Sequence, residues 1–393
     1  MESNYIKKKN CGVCNKKDFE KVIKLKKFPL TGIFIKKEIS KNFQYYFDQS
    51  LNLCKNCGHL QLDKFVSSEL LYNNIYANRT SASHLSDNAI NFFKKFMFET
   101  LKNKRIKNIL EVGCNDTKLI KSLKKNDHHI FGIDPIWINK KKPKNKNFTI
   151  LGGFIEKINL KEKINKPINI FISTHNLEHI SDPYKVLKKI IDFAEDDTTF
   201  FIEVPDADLM IKNHRFDQIF HQHYHYFSLR SLQNLTKRLG CKIIKKKINL
   251  KFWGGSLLIA FKKEKKIKEI KLKNNYFHYK KKIKTNYPKF EDHNRRLKQK
   301  LMNEKTLIGY GAGQMVPSFA YHLKSDLSFL DYIVDDNRNR SDQKYPNLKP
   351  KIKLSQEKFI SKKKFLITAL DGVQAISNKL KKKKLSFINP LFK

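Results

Sequence analysis

The chain has 393 residues, and its 81 Lys and Arg against 37 Asp and Glu give a formal net charge of +44. That length allows two or three domains, and the 40% hydrophobic content supports a globular protein and argues against a disordered chain. No stretch of about 18 uncharged apolar residues follows the basic start MESNYIKKKN or occurs elsewhere, which predicts a cytoplasmic protein with no membrane partner.

A charge this basic would by itself indicate a nucleic-acid or membrane-surface partner. The lysines, however, are scattered through every segment and form no single basic stripe. We interpret most of them as solvated surface, and the remainder as groups that attract an anionic substrate such as a diphosphate. Nucleic acid is therefore the less favoured partner, and the sequence carries no signal of oligomeric state.

Four of the six cysteines form two CxxC pairs, Cys11 with Cys14 and Cys54 with Cys57. The spacing turns both thiolates of a pair toward one tetrahedral ion at about 2.3 Å, and four sulfurs close its shell. The long segment between the pairs carries no recognition-helix pattern, which favours a structural zinc module over a DNA-reading finger. Two redox dithiols are the alternative, but no thioredoxin-like context accompanies them.

The centre of the chain alternates predicted strands and helices. Apolar residues at helical spacing predict an amphipathic helix over 88–104. The predicted strands that follow are IKNILEVG, HHIFGIDP, PINIFIST and TTFFIEVPD. A tight turn that opens a helix (CNDTKLIKSL) and a second helical run (YKVLKKIIDF) lie between strands. This alternation predicts a doubly wound α/β domain.

Polar residues stand where these strands end. Glu111 and Gly113 end the first strand, and Asp134 ends the second, where an acid can accept two ribose hydroxyls. The turn after Gly113 lacks the later glycines of a dinucleotide fingerprint and has Asn115 and Thr117 in their places. The pattern disfavours NAD and favours a cationic, methionine-derived cofactor.

The last part of the chain predicts a connector and a further domain. A lysine-rich stretch over 262–305, interrupted by Pro288, predicts two exposed helices joined at a bend. After it, TLIGYGAG predicts a strand with a glycine turn, and QMVPSFAYHLK, LDYIVDDN and KFLITALDG continue the alternation. We predict a second, smaller Rossmann-like α/β domain.

Taken together, the motifs resemble those of one group of enzymes. They are CGVC with CKNCGHLQL, EVGCNDTKLI, FGIDP, HNLEHISDP, IEVPD, HQHYHYFSL, WGGSLLIA and GYGAG. In this order they are similar to the S-adenosylmethionine (SAM)-dependent sugar C-methyltransferases, which have an N-terminal four-cysteine zinc domain, a central class I methyltransferase domain and a C-terminal Rossmann-like domain. The resemblance implies domains at 1–72, 73–300 and 301–393, with SAM and structural Zn²⁺ as cofactors.

The resemblance also implies roles for single residues. The residues expected at the SAM pocket are Glu111, Gly113, Asn115 and Asp134, with Asn176 and Leu177 beneath the cofactor. The residues expected to serve catalysis are His223 as the base, His179 and His221 for polarising a carbonyl, and Tyr76 from the entry region. Such enzymes methylate the carbon next to a ketone, usually on a deoxysugar attached to a nucleoside diphosphate.

The chain departs from this family beside the histidines. In many sugar-modifying members a tetrad that precedes YFS reads YHEH, whereas this chain has FHQH at 220–223, with Phe220 and Gln222 in place of the Tyr and Glu. Deprotonation therefore falls on the histidines, or the acceptor differs. The alternatives are an O- or N-methyltransferase on another small polar acceptor, a zinc-containing nucleic-acid-binding protein, and a methyltransferase-shaped scaffold without activity.

Overall fold

The structure is a computed structural model, and it describes residues 5–36, 45–71, 85–102, 104–125, 127–251, 253–264, 272–355 and 363–392. Within these ranges the strands form four sheets. No helix in the described ranges is long and apolar enough to cross a membrane.

The elements fall into three stretches of the chain. The first contains β1 (Tyr5–Lys7), β2 (Phe19–Pro29), β3 (Tyr46–Cys54), β4 (Leu60–Leu62), β5 (Lys64–Val66) and α1 (Ser68–Leu71). The second contains α2 (Leu85–Leu101), β6 (Asn108–Val112), α3 (Lys118–Leu123), β7 (His129–Asp134), β8 (Phe148–Gly152), α4 (Leu160–Lys163), β9 (Ile170–Thr174), α5 (Pro183–Phe193), β10 (Thr199–Pro205), α6 (Ala207–Lys212), β11 (His225–Tyr226), α7 (Leu229–Arg238), β12 (Cys241–Asn249) and β13 (Ser256–Lys263). The third contains α8 (Tyr276–Met302), β14 (Leu307–Tyr310), α9 (Val316–His322), β15 (Ile333–Asp335), β16 (Ile352–Leu354), β17 (Lys364–Ile367), α10 (Val373–Lys382) and β18 (Phe387–Ile388).

A seven-stranded sheet with the order β12-β13-β10-β9-β6-β7-β8 forms the centre of the molecule. Strands β6 to β10 run parallel, and β13 is antiparallel to both of its neighbours. The strand order reverses at β6, because β7 and β8 lie on one side of it and β9 and β10 on the other. In doubly wound sheets, ligands bind beyond the carboxyl ends of the strands at such a switch point. The predicted α/β fold class is confirmed.

The central strands are apolar on both faces because helices cover both sides of the sheet. Neighbouring residues of β10 show this clearly. Phe201 packs edge-on against Phe93 and Phe96 of α2, with ring centroids 6.3 and 6.1 Å away. On the other face, Phe200 lies in a cluster with residues of α5 and α7 and stacks on Phe261 of β13 at 5.0 Å. This double cover leaves the strand ends as the exposed edge where a ligand can reach the backbone.

The N-terminal sheet is joined to the central stretch through one short strand. Its order is β11-β4-β3-β2, all antiparallel. The two residues of β11 come from the histidine-rich segment, and His225 pairs with Gln61 while Tyr226 pairs with Leu60. The N-terminal sheet therefore fixes the position of the residues just before β11, which include His223.

The lysine-rich stretch corrects one prediction. Instead of two exposed helices joined at a bend, it forms the single 27-residue helix α8, with Pro288 inside it. Proline removes one backbone donor, but the buried side chains of Ile283 and Phe290 on either side hold the helix to the core. Tyr279 also donates a hydrogen bond to Asp208 of α6 at 2.8 Å. The helix is thus a packed element that leads into the parallel sheet β16-β15-β14-β17-β18.

Candidate cofactor and acceptor cavity

A cavity of about 1180 Å³ opens at the carboxyl ends of the central strands and extends to the C-terminal sheet. The tips of β6 and β7 line one part, including Glu111 and Asp134, and the tips of β14 and β15 line the opposite part, including Gly311 and Asp335. Pockets for single small molecules are commonly about 300–1,000 Å³. The cavity therefore has room for a cofactor and an acceptor together.

Glu111 is buried at the end of β6, with 2% of its surface exposed. Burial, followed by the charges of Asp134 and Asp116, raises the pKa of its carboxyl to about 8. Its Oε2 atom has no hydrogen-bond partner among the described residues. Buried carboxyl oxygens in a core are normally paired, so an unpaired one at a cavity wall fits a residue that contacts a bound polar molecule.

Replacement of Glu111 is expected to stabilise the fold in a pH-dependent way. The folded-state pKa is raised from the ordinary value of 4.5, so ionisation is disfavoured in the folded chain and stability falls as pH rises from about 4.5 to 8. Glu111→Gln removes this cost and should add on the order of a few kcal/mol at pH 8 and little at pH 4.5. Urea unfolding at both pH values measures the difference. The control is Glu162→Gln, because the Glu162 side chain is 59% exposed. An equal effect of Glu111→Gln on stability at both pH values would contradict a raised pKa of Glu111.

Asp134 ties the turn after β6 to the end of β7. Its carboxylate oxygens accept hydrogen bonds from the backbone N–H groups of Asn115 at 2.8 Å and Ile136 at 2.9 Å. Each oxygen has a second lone pair and can also accept a hydroxyl. The indole N–H of Trp137 donates to the Asn115 carbonyl at 2.7 Å. Asp134 is thus held rigidly, with acceptor capacity left for a ribose.

Gly113 lines the cavity and also allows two strand tips to lie close together. Its φ is +85°, and a Cβ atom at this position would lie 2.6 Å from side-chain atoms of Asn176. The glycine therefore permits the tips of β6 and β9 to approach each other, and Asn176 lines the cavity beside it. Leu177 is 1% exposed and packs in the core, outside the residues that line the cavity.

Three histidines surround one carboxylate at the tip of β9, and we call Glu178, His175, His179 and His223 the histidine cluster. Oε1 of Glu178 lies 3.7 Å from Nδ1 of His175, 3.9 Å from Nε2 of His179 and 3.9 Å from Nε2 of His223. Both oxygens of Glu178 are buried without a hydrogen-bond partner among the described residues. All four side chains line the cavity.

The histidines of this cluster differ in charge. Burial, followed by the neighbouring histidines, holds the pKa of His223 well below its ordinary value, and burial also lowers the pKa of His179. Burial acts in the same direction on His175, but the carboxylates of Glu178 and Glu203, 3.7 and 3.5 Å from its ring nitrogens, outweigh it and raise the pKa to about 10. Near pH 7, His175 is therefore charged while His179 and His223 are neutral.

His175 is a residue of the site that the sequence interpretation missed. It lies directly after β9 with a φ of +47°, a backbone conformation that non-glycine residues adopt mainly where surrounding contacts impose it. Its Nε2 lies 3.2 Å from Oγ of Ser256, and its ring meets Trp253 at 4.5 Å. The signal in the sequence was its position at the strand end, beside Asn176.

His221 is not brought to the cavity, which corrects its place among the catalytic candidates. It is fully buried, with Nε2 at 3.1 Å from the Phe28 carbonyl and Nδ1 at 3.4 Å from Nε2 of Gln49. The segment forms a turn in which the N–H of His223 donates to the Phe220 carbonyl at 3.1 Å, and Phe220 and His223 both line the cavity. Gln222 instead bonds to Thr31.

Tyr76, the remaining catalytic candidate, lies outside the described residues.

The four predicted zinc ligands come together in a second place. The Sγ atoms of Cys11 and Cys57 are 3.7 Å apart, those of Cys14 and Cys54 are 3.5 Å apart, and all four lie within 4.8 Å of one another. A tetrahedral zinc ion with Zn–S bonds of about 2.3 Å requires sulfurs about 3.8 Å apart. The four buried thiols therefore fit one structural ion.

Loss of one thiol should abolish this site. Cys54→Ser is expected to lose the thiolate-to-metal absorption of the cobalt-substituted protein and to unfold at a lower temperature, since structural zinc contributes directly to folding free energy. Absorption spectroscopy and calorimetry measure the two effects. Cys241→Ser is the control, because Cys241 is also buried but lies outside the cluster. Undiminished thiolate absorption in Cys54→Ser would rule out a four-sulfur site.

Two family models match the chain in separate segments. A methyltransferase domain matches residues 83–246, and a putative zinc-binding domain matches residues 11–72. The curated relative C-methyltransferase NovU from Streptomyces niveus is 23% identical over 239 residues, which cover 60% of this chain and 56% of NovU. The chain thus spans little more than half the length of that relative.

Solved methyltransferase structures also show similarity over part of the chain. A SAM-dependent methyltransferase from Clostridium acetobutylicum ATCC 824 is 10% identical, with 46% of this chain and 97% of that chain covered and a TM-score of 0.35. The N-methyltransferase NodS from Bradyrhizobium japonicum WM9, in complex with S-adenosyl-L-homocysteine, is 10% identical, with 44% and 86% covered and a TM-score of 0.34.

The methyltransferase-domain match covers most of the seven-stranded sheet and the strand tips at the cavity, so the chain contains a SAM-dependent methyltransferase domain with a class I fold. The zinc-binding match covers both cysteine pairs. The chain therefore combines a methyltransferase domain with a zinc-binding domain that precedes it. The predicted enzyme class and the cofactors SAM and zinc are confirmed.

Proposed function

We propose that this enzyme transfers the methyl group of SAM to a carbon next to a ketone, on a deoxysugar attached to a nucleoside diphosphate. The observation that carries the proposal is the single cavity, which joins the strand tips of the methyltransferase sheet, the histidine cluster and the C-terminal sheet. Similarity to NovU, which is named a C-methyltransferase, supports transfer to carbon. We place the three domains at 1–72, 73–300 and 301–393.

The cofactor end of the cavity is formed by the tips of β6, β7 and β9. We assign Asp134 to the ribose hydroxyls, since both of its oxygens retain acceptor capacity. Further polar contacts come from Glu111, whose Oε2 atom is unpaired, and from Asn115 and Asn176. When bound, SAM supplies an electrophilic methyl group on a cationic sulfur. The protein's part is to hold that methyl group against the acceptor and to exclude water.

The acceptor end repeats the arrangement found at Asp134. Asp335 ends β15, and its carboxylate accepts hydrogen bonds from the N–H of Ala312, in the glycine turn after β14, at 2.7 Å and from the N–H of Asn337 at 2.8 Å. Arg340 lies beside it, with Nη1 3.4 Å from the Asp335 carboxylate. An acid at a strand tip next to a glycine turn and a guanidinium suits a nucleoside with a phosphate group. We therefore assign the nucleotide part of the acceptor to this half of the cavity.

Methylation at carbon requires removal of a weakly acidic proton. We assign His223 as the proton acceptor, because its imidazole is neutral near pH 7 and lines the cavity. Phe220 packs against its ring at 4.0 Å, which fixes the ring's orientation. The carboxylate of Glu178, 3.9 Å from Nε2, balances the charge of the imidazolium that forms.

Hydrogen exchange tests the carbon-acid step apart from methyl transfer. In D₂O, with S-adenosylhomocysteine in place of SAM, the enzyme should exchange the proton next to the ketone of its keto-sugar nucleotide. Proton NMR follows the loss of that signal, and His223→Ala should reduce the rate to the uncatalysed level. If methyl transfer occurs but no candidate acceptor exchanges a C–H proton, an O- or N-methyltransferase is the better description.

A further inference from the structure

The histidine cluster contains a carboxylate that the proton-transfer scheme leaves unsatisfied. Glu178 is 1% exposed, and neither of its oxygens has a hydrogen-bond partner among the described residues. An ionised group buried in this way costs several kcal/mol unless a cation or hydrogen-bond donors compensate it. The nearest groups are ring nitrogens of three histidines; Nδ1 of His175 lies closest, at 3.7 Å, and supplies a positive charge but no hydrogen bond.

One of those nitrogens, Nε2 of His179, is oriented as a metal ligand rather than as a donor. Nδ1 of His179 lies 2.7 Å from the Gln222 carbonyl, and since a carbonyl only accepts, Nδ1 carries the proton and the lone pair of the neutral ring is on Nε2. That Nε2 lies 3.9 Å from Oε1 of Glu178, the same distance as Nε2 of His223. A backbone carbonyl that fixes the tautomer in this way is the usual outer-shell partner of a metal-bound histidine.

The dimensions of the cluster suit a divalent cation after a small contraction. One ligand atom from each of Glu178, His179 and His223 lies within 4.8 Å of the other two. Ligand bonds of about 2.0–2.2 Å place neighbouring donor atoms about 3.0–3.5 Å apart, so the two 3.9 Å separations need to shorten by about half an ångström. His175, 3.7 Å from the same carboxylate oxygen, is placed as its outer-shell partner. Glu178, His179 and His223 all line the cavity.

We propose that Glu178, His179 and His223 bind one divalent transition-metal cation at the cavity wall, with its open positions facing an oxygen of the acceptor. Two imidazoles and one carboxylate with open positions are a donor set for ions such as Mn²⁺, Fe²⁺ or Zn²⁺. This site is distinct from the four-sulfur zinc cluster. The assignment of an acceptor oxygen as the further ligand rests on the proposed function, whereas the metal site itself does not.

A bound metal would supply a positively charged group that can polarise the acceptor's carbonyl oxygen. Because Nδ1 of His179 bonds to the Gln222 carbonyl, its Nε2 is placed to bind a cation, which would polarise a carbonyl oxygen of the acceptor as a Lewis acid. A lone pair that binds the cation cannot also accept a proton. His223 is therefore a ligand in the metal-loaded protein and a proton acceptor only without metal, and metal binding decides between the two roles.

Manganese binding to the zinc-loaded full chain tests the site without any sugar substrate. Thiolates select zinc, so Mn²⁺ leaves the cysteine cluster undisturbed and reports on nitrogen and oxygen ligands. Titration followed by electron paramagnetic resonance should show one bound Mn²⁺ per chain. Loss of an outer-shell partner alone lowers metal affinity about 10–100-fold, so Glu178→Gln and His179→Ala should lower it at least as much.

Glu111→Gln is the matched control, because Glu111 is also a buried carboxyl at the cavity wall but lies outside the cluster. It should bind Mn²⁺ as the unaltered chain does, and circular dichroism should show each variant folded. Absence of manganese binding, or equal binding by Glu178→Gln, overturns the proposed metal site and leaves His223 as the proton acceptor. Conversely, failure of the enzyme to methylate carbon would refute the proposed function and leave one-to-one manganese binding unaffected.

Discussion

Asp134→Ala should weaken SAM binding by at least about 100-fold, because the substitution removes a charged acceptor for two ribose hydroxyls. Hydrogen bonds to charged groups contribute about 1.5–3 kcal/mol each, so two of them account for a loss of this size. The change also leaves the N–H groups of Asn115 and Ile136 without the carboxylate they bond to, which loosens the turn after β6. Titration calorimetry with SAM or S-adenosylhomocysteine measures the loss.

Asp196→Ala is the control for this experiment. The Asp196 side chain is 99% exposed and pairs only at the surface, with Lys263 at 3.0 Å, and exposed pairs contribute little. The affinity of the Asp196→Ala variant for SAM should equal that of the unaltered chain. An affinity of Asp134→Ala within about threefold of the unaltered chain, in a folded protein, would show that the ribose is not held at this strand tip.

His223→Ala should leave SAM affinity nearly unchanged while it reduces kcat by about 10²–10⁴-fold, the usual contribution of a positioned base. His223 contacts Glu178 and His179 rather than Glu111 or Asp134, so its loss removes the proton acceptor and spares the cofactor contacts. Calorimetry and steady-state kinetics measure the two quantities. Added imidazole should restore part of the activity if the missing group acts as a base.

His278→Ala, at an exposed position of α8, is the control and should keep full activity. Unaltered kcat in His223→Ala would remove His223 from both of its proposed roles. Loss of kcat together with loss of manganese binding would assign it as a ligand, whereas loss of kcat in a chain that binds no manganese would assign it as the base.

Much of the central fold could be predicted because each strand there is buried on both faces. The run NILEV of β6 is wholly buried, so its apolar sequence identifies it without reference to any partner. The two-residue strands β11 and β18 carry no pattern of their own and form only because a partner strand lies beside them. The helix α8 was divided at Pro288 in the prediction, because proline is a local signal while the burial that holds the helix together comes from distant residues.

Site residues that lie at strand ends could be predicted from the sequence. Site residues that depend on the direction of a side chain in a loop could not. Glu111 and Asp134 follow apolar strands directly, and the structure places both at one cavity. His221 and His223 are indistinguishable in the sequence, yet one packs against Phe28 and the other lines the cavity. His175 was overlooked because its importance depends on Glu203, which is brought beside it by the pairing of β9 with β10.

The zinc cluster supports the cavity through a short series of contacts. The N–H of Gly12, between two of the cysteines, donates to Oε1 of Gln61 in β4 at 3.0 Å. Gln61 in turn pairs with His225 of β11, and the close approach of His225 to Gly12 leaves no space for a Cβ there. Only Tyr224 lies between His223 and β11. The contacts of the cysteine turn with β4 and β11 therefore help to position His223 at the cavity wall.

The most direct test of the proposed chemistry is ¹³C NMR of the product formed from ¹³C-methyl-labelled SAM and a keto-sugar nucleotide. We predict a methyl signal at the high field typical of a carbon bonded to carbon, coupled to the sugar skeleton. A labelled methyl signal at the low field of a methoxy or N-methyl group, with none bonded to carbon, would contradict the account.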